Sequence, residues 1–578
     1  MSNRAYLTVI SIFASIACVS LAHAHIHELV ALTVTGTNGT HPTTPIAISA
    51  DGNLVAVASL DENLTPPVSS ESHVLVRNMS AGTMVNLSAS LVDEFPNYFF
   101  GFDVFNTTNG ITDLVGSGSF SADGSKLAFT GFRQGFRPQH RVSVYLAATD
   151  GSSAVPVIAE PTWNEVDRYA AYGPCFAGNS KLYLHAGRPD LVEGDTNDAE
   201  DSFLVDLDLN SVSRVSLDSS GAQLSAGAAP FGHYVSDPTI SADASVVIFE
   251  TDSDVDGLDA NGFTDVYKRD LSTGLTTRIS AGLLGPSDGP SRTPCIAADG
   301  SVILFQSWAT NLTQDSVPAG LYLWRQSTGS VELLKDSFTG KPLVGTFPTL
   351  SADGRFVAFE STDNGYWKGD TTDSDIFVYR IADGALTRIT EGPDGLNGVL
   401  EAALVNANPH CVRPRLSSDG AFVCYSSPYQ NLAPNDTNGG FDSVRTTVQF
   451  VDFAVPTMTN TDPLVLVAGT NPGVVKVQGT GFSRQTRLKV NGTERSCRYN
   501  SDSEIEFDTV AEDVASAGTL VLTAANPSPG LGPSEPLVLF VQLPPGPILR
   551  SASPESIPLS VDPVVMTLMG SDFAAGDT

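Results

Sequence analysis

A block of the form apolar–apolar–Ser–x–Asp–Gly, followed at once by a short hydrophobic strand, recurs seven times along the chain. The copies are Ser49-Ala50-Asp51-Gly52, Ser121-Ala122-Asp123-Gly124, Phe176-Ala177-Gly178-Asn179, Ser241-Ala242-Asp243-Ala244, Ala297-Ala298-Asp299-Gly300, Ser351-Ala352-Asp353-Gly354 and Ser417-Ser418-Asp419-Gly420. The strands after them read NLVAVASL, SKLAFTGF, SKLYLHAG, SVVIFETD, SVILFQSW, RFVAFEST and AFVCYSSP. Each unit then runs through a polar loop into a hairpin, clearest in Asp265–Ser280 with its Ser272-Thr273-Gly274 turn. A unit of this kind supplies four antiparallel strands. Seven such units in series restrict the chain to a repeat architecture built of small sheets.

The seventh unit lacks its last strand: after Asp442 it runs SVRTTVQFVDF with no turn. An unpartnered strand lies at the other end, Glu28–Thr35, ahead of the first block. Pairing the two closes a ring and leaves no exposed sheet edge, which is how propellers close. The repeats resemble the TolB-type propeller, through the Ser-Ala-Asp-Gly turn and the Asp-Val-Tyr-x-Arg-Asp-Leu-Ser-Thr-Gly hairpin. That resemblance implies a seven-bladed β-propeller over residues 25–454. It implies little about function, because such propellers serve as binding proteins, scaffolds and non-catalytic halves of peptidases.

From Pro456 the texture changes to short alternating strands around Gly479-Thr480-Gly481-Phe482. Residues 455–543 resemble an IPT/TIG domain, an immunoglobulin-like β-sandwich. Past Pro544-Pro545-Gly546-Pro547, residues 544–578 look like the start of a second copy, with Gly570-Ser571-Asp572-Phe573 matching the first glycine turn. So short a piece buries no core of its own, and the sequence is expected to be a fragment of a longer protein. The expected class is all-β: a seven-bladed propeller plus a C-terminal immunoglobulin-like sandwich.

Residues 1–24 read as an export signal, with Arg4 as the only charge, an apolar run from Ala5 to Leu21 and a small-x-small site at Ala22-His23-Ala24. The mature chain is expected to be secreted, at the cell surface or periplasmic, with lipidation at Cys18 the lesser reading. Acidic side chains number 64 against 31 basic, a net charge of −33. Such a field opposes phosphate, so nucleic acid is a poor partner. After cleavage five cysteines remain, Cys175, Cys295, Cys411, Cys424 and Cys497, too sparse for a disulfide framework. Cys411 and Cys424 flank the seventh turn and either bridge or stay as buried thiols. Eight Asn-x-Ser/Thr sites, at Asn38, Asn63, Asn78, Asn86, Asn106, Asn311, Asn435 and Asn491, are glycan acceptors only in a eukaryotic secretory protein.

The most suggestive polar pattern is Asp-x-Asn-Gly-x-x-Asp, in Asp259, Asn261, Asp265 and again in Asp436, Asn438, Asp442. Asp195, Asn197 and Asp201 form a near match, and Asp370–Asp375 a shortened relative. Calcium takes several oxygen ligands at alternate loop positions, so these nine residues are candidate metal ligands. The same residues also cap turns by bonding their own backbone. Both readings stand at this stage. Catalytic signals are scarce. No Gly-x-Ser-x-Gly stands at a strand-to-helix elbow, and there is no His-Glu-x-x-His and no phosphate loop, while His140, His185, His233 and His410 lie singly on separate repeats. Trp163 and Trp367 fall in loops and offer faces on which a sugar could stack; Trp324 sits in a strand.

The expected function is accordingly an exported, non-enzymatic binding or scaffold protein that uses its propeller loop face to contact a protein or glycan. No catalytic residue is assigned, and no cofactor other than calcium. The alternative is a carbohydrate-active or other hydrolase or lyase, with a pocket on the propeller axis or a catalytic domain beyond residue 578.

Overall fold

The structure is a computed structural model. It describes residues 25–571 apart from 33–42, 60–63, 65–72, 90, 92–97, 101–102, 106–112, 116–117, 134–140, 159–170, 198, 226–238, 260, 369–373, 393–397, 400–411, 435, 437–439, 451–452, 528–531, 547 and 554–564. Its named elements are strands, with one short 3-10 helix at Ala511–Val514. None of the helices is long and apolar enough to cross a membrane among the described residues.

Seven antiparallel sheets of three to five strands follow one another from residue 26 to residue 447, with a separate two-stranded pair, Asp103–Phe105 and Asp113–Val115. The fifth shows the plan: an inner strand Ser291–Ile296, then Val302–Ser307, Gly320–Arg325 and Ser330–Leu333, each bonded to the next. The seventh takes its fourth strand from the N-terminal side, Ile26–Leu29 beside Asp442–Thr447, with Glu28 opposite Arg445. This closing strand is shorter and begins earlier than the Glu28–Thr35 segment expected from sequence. Arg445 also donates to the Gly52 carbonyl (2.8 Å), tying the seventh sheet to the first.

The recurring Ser-x-Asp-Gly block is a self-contained turn. Ser351 Oγ donates to Asp353 Oδ1 (2.7 Å) and accepts the Phe356 N–H (2.9 Å), while Asp353 Oδ1 also accepts the Arg355 N–H (3.0 Å). The same bonds recur at Ser49/Asp51, Ser121/Asp123, Ser241/Asp243 and Ser417/Asp419. These side chains satisfy a chain reversal that would otherwise leave donors unpaired. In the third unit the turn is one residue shorter, with Ala177 opposite Lys181.

Adjacent turns are stitched to one another by backbone. The N–H of Ala122 donates to Gly178 O, Ala242 to Ala298 O, Ala298 to Ala352 O, Asp353 to Ser418 O and Ser418 to Ala50 O, all at 2.8–3.1 Å. The small residue after each Ser is thus drawn towards its neighbours, and a larger one would push the turns apart.

The turn glycines are constrained in two ways. Gly52 has φ +72°, and a Cβ there would lie 2.3 Å from Phe422 Cδ2. Gly82 has φ +68° with open space around it. Gly52→Ala is expected to cost roughly 2–4 kcal/mol, backbone strain plus overpacking, against about 1–2 kcal/mol for Gly82→Ala, strain alone. Thermal melts of the two variants side by side measure the difference.

Residues 457–542 form two further sheets around one apolar core that includes Val475, Leu488, Phe507, Leu522 and Leu539. They meet the sixth sheet's loop through a cluster of polar contacts. Lys368 Nζ donates to Thr486 O (2.8 Å), Lys368 N–H to Gln485 Oε1 (2.8 Å) and Arg487 to Gly365 O (3.2 Å). Residues 548–553 and 567–571 pair as a two-stranded sheet.

Candidate functional site

The described loop carboxylates gather around arginine. In the fourth sheet Arg278 lies between three of them: 3.1 Å from Asp259, 3.3 Å from Asp256 and 3.7 Å from Asp265. In the third, Arg214 is 3.0 Å from Asp195 and 3.2 Å from Asp201. Asp201 and Asp265 also accept from Ser216 and Ser280, and Asp375 of the sixth sheet from Thr390, with Arg388 3.9 Å away. The Asn197 and Asn261 amides point Nδ2 at Asp201 and Asp265 (3.3 Å each). These loops carry their own cation, a buried guanidinium. The candidate calcium ligands Asp195, Asn197, Asp201 and Asp259, Asn261, Asp265 are thus met by protein donors.

Asp436 and Asp442 are described, whereas Asn438 lies outside the described residues. Among the described residues, none of the groups of three or more His, Cys, Asp and Glu is arranged to hold a metal. Melts in calcium and in chelator are expected to coincide for wild type and Asp259→Asn alike; a calcium-dependent rise that Asp259→Asn removes would place the ion in this loop.

Other expectations resolve similarly. Trp367 is buried, its Nε1–H turned to Glu391, so it offers no platform. Trp163, His140, His233, His410 and Cys411 lie outside the described residues, and Cys424 is a buried free thiol pushed up to about 12 by desolvation. His185 is buried against Ser202 and Tyr183.

A different cluster lies along the inner strands. All seven sheets contribute to a central cavity of about 240 Å³, ringed at one end by Ala50, Ala122, Ala242, Ala298, Ala352 and Ser418. Further along, the inner strands carry Cys175, Thr349 and Arg415 into the same cavity. Two residues earlier on each of these strands stands the first member of an x-Pro pair: Gly173-Pro174, Phe347-Pro348 and Arg413-Pro414, with Thr293-Pro294 equivalent in the fifth sheet. Proline has no N–H for the ladder, and the register slips at each pair, between Tyr172/Cys175, Arg292/Cys295, Thr346/Thr349 and Val412/Arg415. The bulged residue takes a left-handed backbone in all four, φ +65° at Gly173, +51° at Thr293, +50° at Phe347 and +59° at Arg413.

For glycine that conformation is free. For Thr, Phe and Arg it costs of order 1–3 kcal/mol each, a strain typical of functional positions.

Behind the bulges stands the fifth residue of each second strand: His185, Glu250, Gln306 and Glu360 in sheets three to six, all buried. Glu250 Oε1 accepts the bulged Thr293 N–H from the next sheet (2.7 Å). Glu360 Oε1 accepts from Ser374 (2.8 Å), and its Oε2 is buried. Burial pushes the Glu360 carboxyl up to about 7, held back in part by the Ser374 hydroxyl and the charge of Arg413. Arg413 reaches across the bulge of the sixth sheet, its guanidinium 4.8 Å from the Phe347 ring centre. A carboxyl that exchanges its proton near neutrality, an aromatic face and a fixed cation therefore converge from two adjacent sheets. A carboxyl so placed can hold or release a proton near neutral pH.

No protein-family model matches the chain, and no curated protein does. Solved structures do. The chain is similar to the β-propeller domain of the Trilobed protease from Pyrococcus furiosus (12% identity, TM-score 0.39, 71% of this chain and 94% of that one). It is also similar to prolyl oligopeptidase B from Galerina marginata (13%, 0.34, 77% and 51%), of which it spans about half the length. A third is the GH74 xyloglucanase from Xanthomonas campestris (9%, 0.40, 88% and 75%). The architecture is thus all-β and propeller-like. Likenesses this distant speak to fold, and the chemistry here is argued from the site. The expectation of a non-enzymatic scaffold finds no counterpart among these three, which are a protease's propeller domain, an oligopeptidase and a xyloglucanase.

Proposed function

We propose that this chain is a carbohydrate-active hydrolase whose pocket lies on the axis of a seven-bladed propeller, with Glu360 as the proton donor. The observation that carries this is the Glu360–Arg413–Phe347 cluster. Glycoside cleavage needs one carboxyl that stays protonated near neutral pH and a second carboxylate. Glu360 supports the first role, and Glu250, two sheets away on the same ring, is the candidate for the second. The Phe347 face suits the apolar side of a sugar ring. An acyl-transfer mechanism has less support, because the Gly-x-Ser-x-Gly match at Gly285–Gly289 holds a buried Ser287 that bonds Asp265 and Asn261.

In the same reading, residues 25–454 form the propeller, closed by the strand pairing of Ile26–Leu29. Residues 455–543 form the immunoglobulin-like sandwich, residues 544–578 open a second one, and residues 1–24 direct export. The TolB-type and IPT/TIG resemblances support the first two assignments. The test is release of reducing sugar from a panel of neutral and acidic polysaccharides. Activity present in the wild type and lost in Glu360→Gln without a fall in melting temperature supports the reading; activity equal in both contradicts it.

A further inference from the structure

We infer that Lys368 and Cys497 are an oxidation-sensitive pair, which a peroxide joins by a sulfur–nitrogen bond and so fastens the two sheets of residues 457–542 to the sixth sheet of the ring. Lys368 lies in the loop between Phe356–Ser361 and Asp375–Arg380, and Cys497 opens the strand Cys497–Ser501. Lys368 Nζ donates to Cys497 Sγ across 3.2 Å. Both groups also share one acceptor, the Thr486 carbonyl, with Nζ at 2.8 Å and the thiol at 3.3 Å.

The amine is held over the sulfur by more than its own side chain. The buried Gln485 amide grips the Lys368 backbone from both sides, accepting its N–H (2.8 Å) and donating to its carbonyl (3.3 Å). Among the described residues, Nζ meets the Thr486 carbonyl and the sulfur but no carboxylate. A cation beside a sulfur favours the thiolate, the form that attacks peroxide. Cys497 itself is buried, but Lys368 is half-buried, so the pair lies next to solvent and within reach of so small an oxidant.

The chemistry balances with hydrogen peroxide as the oxidant. The sulfur attacks one peroxide oxygen, the O–O bond breaks, and thiol and peroxide give a sulfenic acid, Cys–SOH, and a water. The Lys368 nitrogen then displaces the new hydroxyl. An S–N bond forms, the S–O bond breaks, and the products are the sulfenamide, a second water and a proton from the ammonium that passes to solvent. The sulfur is oxidised by one electron pair, and the peroxide is reduced by it. A thiol reductant restores both side chains. The bridge spans 129 positions of the chain, so it restrains the unfolded state as a disulfide of that span would.

The test treats the full chain with hydrogen peroxide, digests it without reductant and maps it by mass spectrometry. The expected product is the Lys368 and Cys497 peptides joined, lighter than their sum by a pair of hydrogens and separated again by dithiothreitol. The oxidised chain should also melt at a higher temperature than the reduced one. Lys368→Arg keeps the cation and loses the nucleophile. It should give no joined pair, no rise in melting temperature, and a Cys497 adduct when dimedone is present to trap the sulfenic acid. Wild type that leaves Cys497 unmodified, or carries it as a sulfinic acid with Lys368 free, overturns the inference. So does a rise in melting temperature that Lys368→Arg retains.

Discussion

Glu360→Gln is expected to lower turnover by about 10²–10⁴-fold while leaving the fold intact, the usual worth of a positioned proton donor. The substitution keeps the shape and the acceptor for Ser374 and removes only the transferable proton. The pH profile follows from the same group. Its protonated form is the active one, so wild-type activity should hold below about 7 and fall roughly tenfold per pH unit above it. Stability follows with a definite sign. The folded carboxyl binds its proton more tightly than the unfolded one, from an ordinary 4.5 up to about 7. Stability is therefore complete below 4.5 and declines as pH rises through 7, by at most about 3 kcal/mol. Glu360→Gln should remove that decline, leaving a variant that is inactive yet more stable than wild type at pH 8. Melts at pH 5 and pH 8 check the second half independently of any substrate.

Arg278→Ala should be the most destabilising single change in the described loops. Its side chain is buried among Asp256, Asp259 and Asp265, and removing one partner of such a cluster costs roughly 3–5 kcal/mol through the charges left behind. Burial, with Asp259 nearby, already lifts Asp265 to about 6. Without the arginine it should rise further, so the loss will be larger at pH 8, where Asp265 must ionise, than at pH 5, where it holds a proton. Adding Asp265→Asn to Arg278→Ala should recover part of the loss, because the orphaned charge goes with it. Thermal melts of the two single variants and the double variant give the coupling.

The legible part of the fold was the part fixed by neighbouring residues. A Ser-x-Asp-Gly turn satisfies itself through bonds spanning five residues, so the copies that keep both Ser and Asp look alike in sequence. The closing strand was visible because the seventh unit lacked one and the N-terminal side offered one, although its bounds shifted to Ile26–Leu29. The cation in the aspartate loops was missed because it comes from the far side of the hairpin. Yet Asp201, Asp265 and Asp375 are each followed thirteen residues on by Arg214, Arg278 and Arg388, and fifteen on by Ser216, Ser280 and Thr390. That spacing was available and spells an internal ion pair.

The site was harder to see for a physical reason. Its scaffold repeats, as an x-Pro pair and a fifth strand residue, but its chemistry lies in the positions that differ: Gly173, Thr293, Phe347 and Arg413 at the bulges, and His185, Glu250, Gln306 and Glu360 behind them. A search for recurring motifs passes over residues that matter because they do not recur. Nor does sequence show that proline in an inner strand turns its neighbour into a left-handed bulge.

The most direct measurement is the titration of Glu360 itself, by carbon NMR of the glutamate-labelled chain with Glu360→Gln to assign the resonance. A signal titrating near 7, absent from the variant and moved upward in Arg413→Ala, is the expected result. A signal titrating near the ordinary 4.5, indifferent to Arg413, would mean a solvated carboxylate and no proton donor on the axis.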